Sequence, residues 1–209
     1  MSNILEPSLT VSGLYCYRYD KAFFRGLDFT ASPGNLLQIE GENGSGKTTL
    51  LKMLCGLIEI DEGEISWNGN NINSVMEEYR GELNYLGHKN GIKAGLTCLE
   101  NLKVLSALGN QLSTYDYSEI LSNYGLYGYD DIYAYTLSAG QKRRLSLARL
   151  SINKTRLWIL DEPFTSLDEK GKKDLKVIFH EHLKADGIIL LTSHDNIHWQ
   201  DMNVTRISL

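Results

Sequence analysis

The 209-residue chain is short of cysteine, has no excess of positive charge and contains no long apolar run. Cys16, Cys55 and Cys98 are odd in number, scattered and without metal-ligand spacing, so they read as free thiols in a reducing compartment. Cys55 ends the apolar run 50–55 and reads as a small buried hydrophobe. The longest apolar runs, such as 157–160 and 188–191, fall far below the ~20 residues of a membrane helix. Residues 1–7 hold no basic segment followed by an apolar one, so no signal peptide is expected. A cytosolic chain follows, with any membrane role reached through a partner. The net charge of −5 argues against a phosphate-backbone partner, and no nucleic acid is expected. With 42% hydrophobic and 22% charged residues, the composition is that of a folded domain and not of a disordered segment.

Short apolar runs alternate with helical patterns. Residues 36–40 lie between Pro33-Gly34 and Gly41 and read as a buried strand, as do 157–160 and 188–192; together they suggest a mostly parallel core. Residues 1–35 and 63–72 read as antiparallel strands of a side sheet. From about 97 to 150 the pattern turns helical: Thr97 and Glu100 fit a capping box, and Asp116 opens a stretch that Gly125 closes. Repeats, low-complexity tracts and linkers are lacking. The expectation is one domain over 1–209 with a helical subdomain inserted at about 97–150.

Gly41, Glu42, Asn43, Gly44, Ser45, Gly46, Lys47 and Thr48 match the Walker A pattern between an expected strand and an expected helix. Glycines let the backbone turn its amides toward phosphate oxygens, and the helix N-terminus adds partial positive charge. Lys47 would neutralise the β and γ phosphates, and the Thr48 hydroxyl would coordinate Mg²⁺. The bland alternative is a glycine-rich turn that merely starts a helix. By itself the pattern says only that a nucleotide binds, since kinases, GTPases and many ATPases share it.

The apolar run 157–160 ends in Asp161 and Glu162. Carboxylates at a strand's carboxyl end lie at the crevice where α/β sheets hold ligands, so Asp161 can hold Mg²⁺ through water and Glu162 can polarise an attacking water. The competing reading is an acidic surface turn. Ser166 and Asp168 follow in a turn suited to reaching a neighbouring subunit. His194 ends another strand and could contact the γ phosphate, although a lone histidine there is usually only hydrogen-bonded.

Leu137, Ser138, Ala139, Gly140 and Gln141 precede a basic amphipathic helix, with Ser138 as its N-cap and Gln141 as the capping-box partner. A Ser-capped helix tip with a glycine is also a second phosphate-binding device. Two such devices in one chain would compete for one γ phosphate unless they act in different subunits.

The ordered set GENGSGKTT, LSAGQ, LWILDEP, TSLD and TSHD resembles the ABC transporter ATPase family over essentially the whole chain. The resemblance implies an α/β P-loop NTPase core of ABC ATPase type, an antiparallel β side sheet and an inserted α-helical subdomain. It implies ATP and Mg²⁺ as cofactors, ATP hydrolysis coupled to transport, and a head-to-tail dimer with a second copy. In that dimer Ser138 and Gly140 of one subunit close over ATP held by Gly41 to Thr49 of the other. Residues 83–97, the IEGENGSGKTTLL loop and LWILDEPFTSLD further resemble the ATP-binding subunits of bacterial cytochrome c maturation systems. That likeness implies a multispanning membrane subunit, haem-handling proteins as partners, and a peripheral place on the cytoplasmic face of the inner membrane. Whether haem is the transported species is not written in a chain without a substrate channel. ATPases of other small transporters, and soluble ABC proteins acting on DNA or ribosomes, are the competing readings.

Two departures from the general family stand out. His88 occupies the place where most members carry a glutamine that contacts Mg²⁺ and the attacking water. Imidazole keeps a hydrogen-bonding group while adding one that can titrate near neutral pH. The base-stacking aromatic falls near Arg18, flanked by Tyr17 and Tyr19, and any of the three could stack. Seven tyrosines lie between Tyr115 and Tyr135. Either half are core and half decorate a small helical lobe, or they form a docking surface, and the resemblance implies a membrane-subunit contact between the His88 loop and this lobe. His180, Glu181 and His182 read as a solvated helix face. Zinc on His194 and His198 is not expected, despite their helical spacing.

Overall fold

The computed structural model describes residues 8–18, 21–108, 115–152, 154–193, 199 and 202–209. Two compact units divide them: the first comprises Met1–Tyr85, Thr155–Asp161 and His180–Leu209, the second Leu86–Lys154 and Glu162–Phe179.

The first unit holds two sheets. Strands β1 (Leu9–Arg18), β2 (Lys21–Ala31), β4 (Glu62–Trp67) and β5 (Asn70–Asn71) form an antiparallel sheet in the order β2-β1-β4-β5. This is the expected side sheet. Gly63 is required where β4 meets β1, because a Cβ there would lie 2.3 Å from Gly13 O.

The second sheet has the order β6-β7-β8-β3-β9, with β3 (Asn35–Glu40), β6 (Leu83–Leu86), β7 (Leu157–Leu160), β8 (Ile188–Thr192) and β9 (Asn203–Ser208). β3 pairs in parallel with both β8 and β9, and β7 with β8. Every residue of β7 and β8 is buried, which explains their unbroken apolar character: a parallel strand covered on both faces has no solvent side to alternate with. Gln38, the buried polar residue of β3, accepts from Trp199 Nε1 at 2.6 Å and donates to Glu40 at 3.2 Å. Between the strands come α1 (Lys47–Leu54) and α2 (Met76–Gly81). Leu50, Leu51, Met53 and Leu54 of α1 join a core that also contains Leu37, Ile39, Trp67, Tyr79, Ile159 and Leu190. Cys55 belongs to the same core, 3% exposed, and burial pushes its thiol far up. A reactive role for it is thereby closed off.

The second unit contains α3 (Cys98–Leu108), α4 (Tyr117–Asn123) and α5 (Ala139–Ala148). Each starts as its residues dictate. Glu100 N donates to Thr97 Oγ1 and Thr97 N to Glu100 Oε2; Asp116 accepts from Glu119 N; Ser138 and Gln141 close a full capping box. α4 stops at Gly125, φ +72, where Leu126 N donates to Leu121 O and Gly125 N to Ser122 O. That pair of bonds is the Schellman arrangement. Between α4 and α5 the chain is mostly turns, with one short 3₁₀ segment at Ala134–Thr136, so the run 97–150 is less helical than its pattern suggests. The glycines and tyrosines crowded into 124–129 interrupt the period.

Helix α6 (Glu169–Lys184) contributes residues 169–179 to the second unit and 180–184 to the first. Here one expectation fails. His182 is not on a solvated face: its ring stacks on Trp158 with centroids 3.7 Å apart and planes 9° off parallel, and Nε2 donates to Arg156 O. Gly187 leaves the room it needs, since a Cβ there would meet the imidazole at 2.3 Å.

Candidate active site

The parallel register brings the carboxyl ends of β3, β7 and β8 to one edge of the sheet: Ile39 pairs with Thr192, and Leu160 with Leu191. Gly41, Asp161 and Thr192 or Ser193 therefore begin the loops of a single crevice.

The loop from Gly41 to Gly46 is shaped by glycine. Gly41, Gly44 and Gly46 have φ of 153°, 83° and 102°, and Gly46 is the N-cap of α1 with no side chain capping it. A Cβ on Gly41 would sit 2.6 Å from Ser45 Oγ, and one on Gly46 would press on Phe23. Ser45 Oγ is buried without a hydrogen-bond partner. A buried orphan hydroxyl inside a glycine cradle, at the uncapped N-terminus of a helix, fits a bound phosphate. Lys47 is 7% exposed, and its ammonium donates to Gly41 O at 2.7 Å and Glu42 O at 3.0 Å. It thus lies folded across the loop it would share with a phosphate.

Thr48 Oγ1 donates to Asp161 Oδ2 at 2.8 Å, and Thr192 Oγ1 to Asp161 Oδ1 at 2.8 Å. Asp161 is 2% exposed. A hydroxyl and a buried carboxylate in contact beside a phosphate cradle form an oxygen donor set suited to Mg²⁺. Tyr85 stands close by: burial first, then the Asp161 charge and Cys55, push its hydroxyl up to about 12.

Next in the chain, Glu162 belongs to the second unit. It has φ +48, a left-handed conformation that side chains disfavour, and its carboxylate accepts from Thr165 Oγ1 at 3.2 Å. The 3.2 Å bond from Thr165 N to Glu162 O closes the turn. Ser166 has φ +66, and its carbonyl would lie 2.8 Å from a Cβ on Gly140. Hence Gly140 is glycine for a reason internal to this chain. Asp168 bonds to Arg144 and accepts from Gly171 N; that amide, with Arg144 behind it, holds its carboxyl below the ordinary range. Ser138 and Ala139 at the tip of α5 are exposed, as is His88. His194 and His198 lie outside the described residues, as does Tyr19. Tyr17 stacks against Tyr15 with ring centroids 6.1 Å apart.

Of the tyrosine cluster, Tyr124 is buried while Tyr127, Tyr133 and Tyr135 are exposed, the last two stacked at 5.6 Å. Tyr129 accepts from Gln141 Nε2 at 2.7 Å and so braces the capping box. Arg143 belongs to none of the motifs, yet it is 3% exposed and bonds the carbonyls of Glu162 and Pro163. A signal for it exists in the sequence: Arg143 precedes Ser146, Leu147 and Leu150 at helical spacing, so a charge occupies the stripe that faces inward.

A sequence model of the ABC transporter family matches residues 24–165, a span that holds the phosphate loop, the capped α5 and both carboxylates. The chain belongs to the ABC transporter family. Its ABC fold recurs in a solved ATP-binding subunit of an ABC transporter, with TM-score 0.80 and 27% identity, covering 89% of this chain and 79% of that one. The cytochrome c biogenesis ATP-binding export protein CcmA of Photobacterium profundum is 41% identical over 213 residues, 96% of this chain and 99% of its own. The protein of the same name from Nitrosospira multiformis is 43% identical over 204 residues, covering 97% and 99%. As an ABC ATPase, the chain binds and hydrolyses ATP. No helix among the described residues is long and apolar enough to cross a membrane.

Proposed function

We propose that the chain is the energy-coupling ATPase of a cytochrome c biogenesis exporter, working as a head-to-tail pair on a multispanning membrane subunit. The near full-length likeness to the two CcmA proteins supports the system. The observation that carries the mechanism is the Thr48–Asp161–Thr192 contact beside the glycine cradle.

In this reading residues 1–209 form one ABC ATPase domain. Gly41 to Thr49 wrap the phosphates, with Lys47 swinging from the carbonyls of Gly41 and Glu42 onto the β and γ oxygens. Thr48 and Asp161 hold Mg²⁺, which would supply charge neutralisation at the phosphates. Glu162 accepts a proton from the attacking water, while His88 and His194 orient that water and the γ phosphate. Leu137, Ser138, Ala139, Gly140 and Gln141 cap the partner copy's ATP, and Ser166 and Asp168 line the joint. The exposed tip at Ser138 and Ala139 supports a partner there. Exposed Tyr127, Tyr133 and Tyr135 suit a membrane subunit, and in this reading the pair works at the cytoplasmic face of the inner membrane. Haem export, or release of a haem chaperone, is the work this coupling would drive.

The test is Glu162→Gln. It is expected to keep ATP, lose turnover and shift to twice the mass on light scattering when loaded with ATP. A loaded variant that stays monomeric alongside its membrane subunit overturns the pair; normal turnover removes Glu162 from its role. Purifying the complex from native membranes and identifying the multispanning protein tests the system.

A further inference from the structure

Arg143 lies on the inward side of α5, and its guanidinium reaches oxygens of two segments far apart in sequence. Nη2 donates to Glu162 O at 2.7 Å and Nε to Pro163 O at 3.2 Å; Nη1 donates to Gly87 O at 3.4 Å and Asn90 Oδ1 at 3.3 Å. One turn further along the helix, Ser146 Oγ donates to Asn90 O at 2.6 Å. Gly87 and Asn90 flank His88 and Lys89, so α5 grips that loop on both sides of the histidine. The same helix begins at Ser138.

A buried guanidinium is costly to desolvate, and its cost is offset only where the donors find acceptors in fixed directions. Arg143 directs its fork onto backbone carbonyls of the turn that carries Glu162. That turn needs holding: Glu162 keeps a left-handed φ of 48°, which persists only where the surroundings enforce it. The Nη2 bond falls on the carbonyl of that residue. A lysine ammonium, a point charge, cannot span both segments in the same plane.

We propose that Arg143 is a positioning residue for ATP hydrolysis: it fixes the Glu162 turn against the His88 loop, so that the two groups acting on the attacking water keep their mutual placement. This rests on the roles proposed for Glu162 and His88. A residue acting this way governs the chemical step and leaves nucleotide binding alone, because the proton acceptor moves while the phosphate cradle does not.

The experiment measures steady-state ATPase of the full chain in its membrane complex for Arg143→Lys, Arg143→Gln, Asn90→Ala and Glu162→Gln. ATP affinity is read by a fluorescent nucleotide without Mg²⁺, and folding by thermal unfolding. Arg143→Lys and Arg143→Gln are expected to lower kcat by about ten- to a hundred-fold, the scale of a misplacement near 1 Å, with KM within about three-fold of wild type. Asn90→Ala removes one loop-side bond and should lower kcat several-fold in the same sense; it carries the test if the arginine variants do not fold. Wild-type kcat in folded Arg143→Lys and in Asn90→Ala overturns the proposal, as does a loss confined to KM. Normal hydrolysis by Glu162→Gln is a separate failure, since it removes the residue that Arg143 is argued to position.

Discussion

Thr48 and Asp161, 113 residues apart in the chain, meet at 2.8 Å where α1 begins and β7 ends. The carboxylate has both oxygens engaged by threonine hydroxyls, so its charge is held in a direction fixed by the sheet. Asp161→Asn keeps the shape but turns one acceptor into an amide donor facing a hydroxyl, and removes the charge that would attract a cation. The expected result is an ATPase rate down by about a hundred-fold or more, on the scale of losing a preorganised electrostatic partner. Titrating Mg²⁺ against activity should show the apparent affinity for the ion weakened in parallel.

Lys47 tests the cradle separately. Its ammonium sits on two carbonyls of the loop, ready to exchange them for phosphate oxygens. Charge-assisted hydrogen bonds contribute about 1.5–3 kcal/mol each, so Lys47→Ala should weaken ATP binding by at least about ten-fold. Equilibrium titration with a fluorescent ATP analogue checks this without needing turnover.

The parallel core and the phosphate loop are legible in the chain because both are local: a strand buried on two faces writes an unbroken apolar run, and a glycine loop writes its spacing. The helix caps at Thr97, Asp116 and Ser138 are legible for the same reason, as each is settled within four residues. What the chain order hides is what only the tertiary fold brings together. His182 looks like a surface residue of a polar helix, and the stripe that turns Arg143 inward does not say which carbonyls it reaches; each packs against a segment remote in sequence. β9 escapes the pattern because Asn203–Ser208 lies at an edge and carries only two apolar residues, Val204 and Ile207, without the run that marks its neighbours.

Gly140 has a second function that its place in a family motif obscures. A methyl group there would lie 2.8 Å from the carbonyl of Ser166, and a backbone atom cannot swing away as a side chain can. Gly140→Ala is therefore expected to destabilise the chain on its own by about 1–3 kcal/mol, the usual cost of overpacking. Thermal unfolding of the isolated chain without nucleotide should show a lowered Tm. An unchanged Tm would assign Gly140 wholly to the partner's ATP.

His182 makes the stability of the fold depend on pH. Burial under Trp158 lowers its pKa from 6.5 to about 4, against hydrogen bonds to Arg156 and Ile188 that favour the charged ring. Between those two values the unfolded chain binds the proton and the folded chain does not. The contribution is therefore complete above about pH 6.5, falls as the pH drops toward about 4, and loses nothing further below that. A pKa lowered by one corresponds to about 1.4 kcal/mol, so the loss attributable to this residue is at most about 3.5 kcal/mol. His182→Phe keeps a ring on Trp158 and cannot take up a proton. Urea unfolding at pH 7.5 and 4.5 should show wild type losing more stability than the variant across that interval, since carboxylates titrate in both and cancel in the difference. Equal losses would mean that the imidazole is already charged in the folded chain, and that the stack against Trp158 does not exclude the proton.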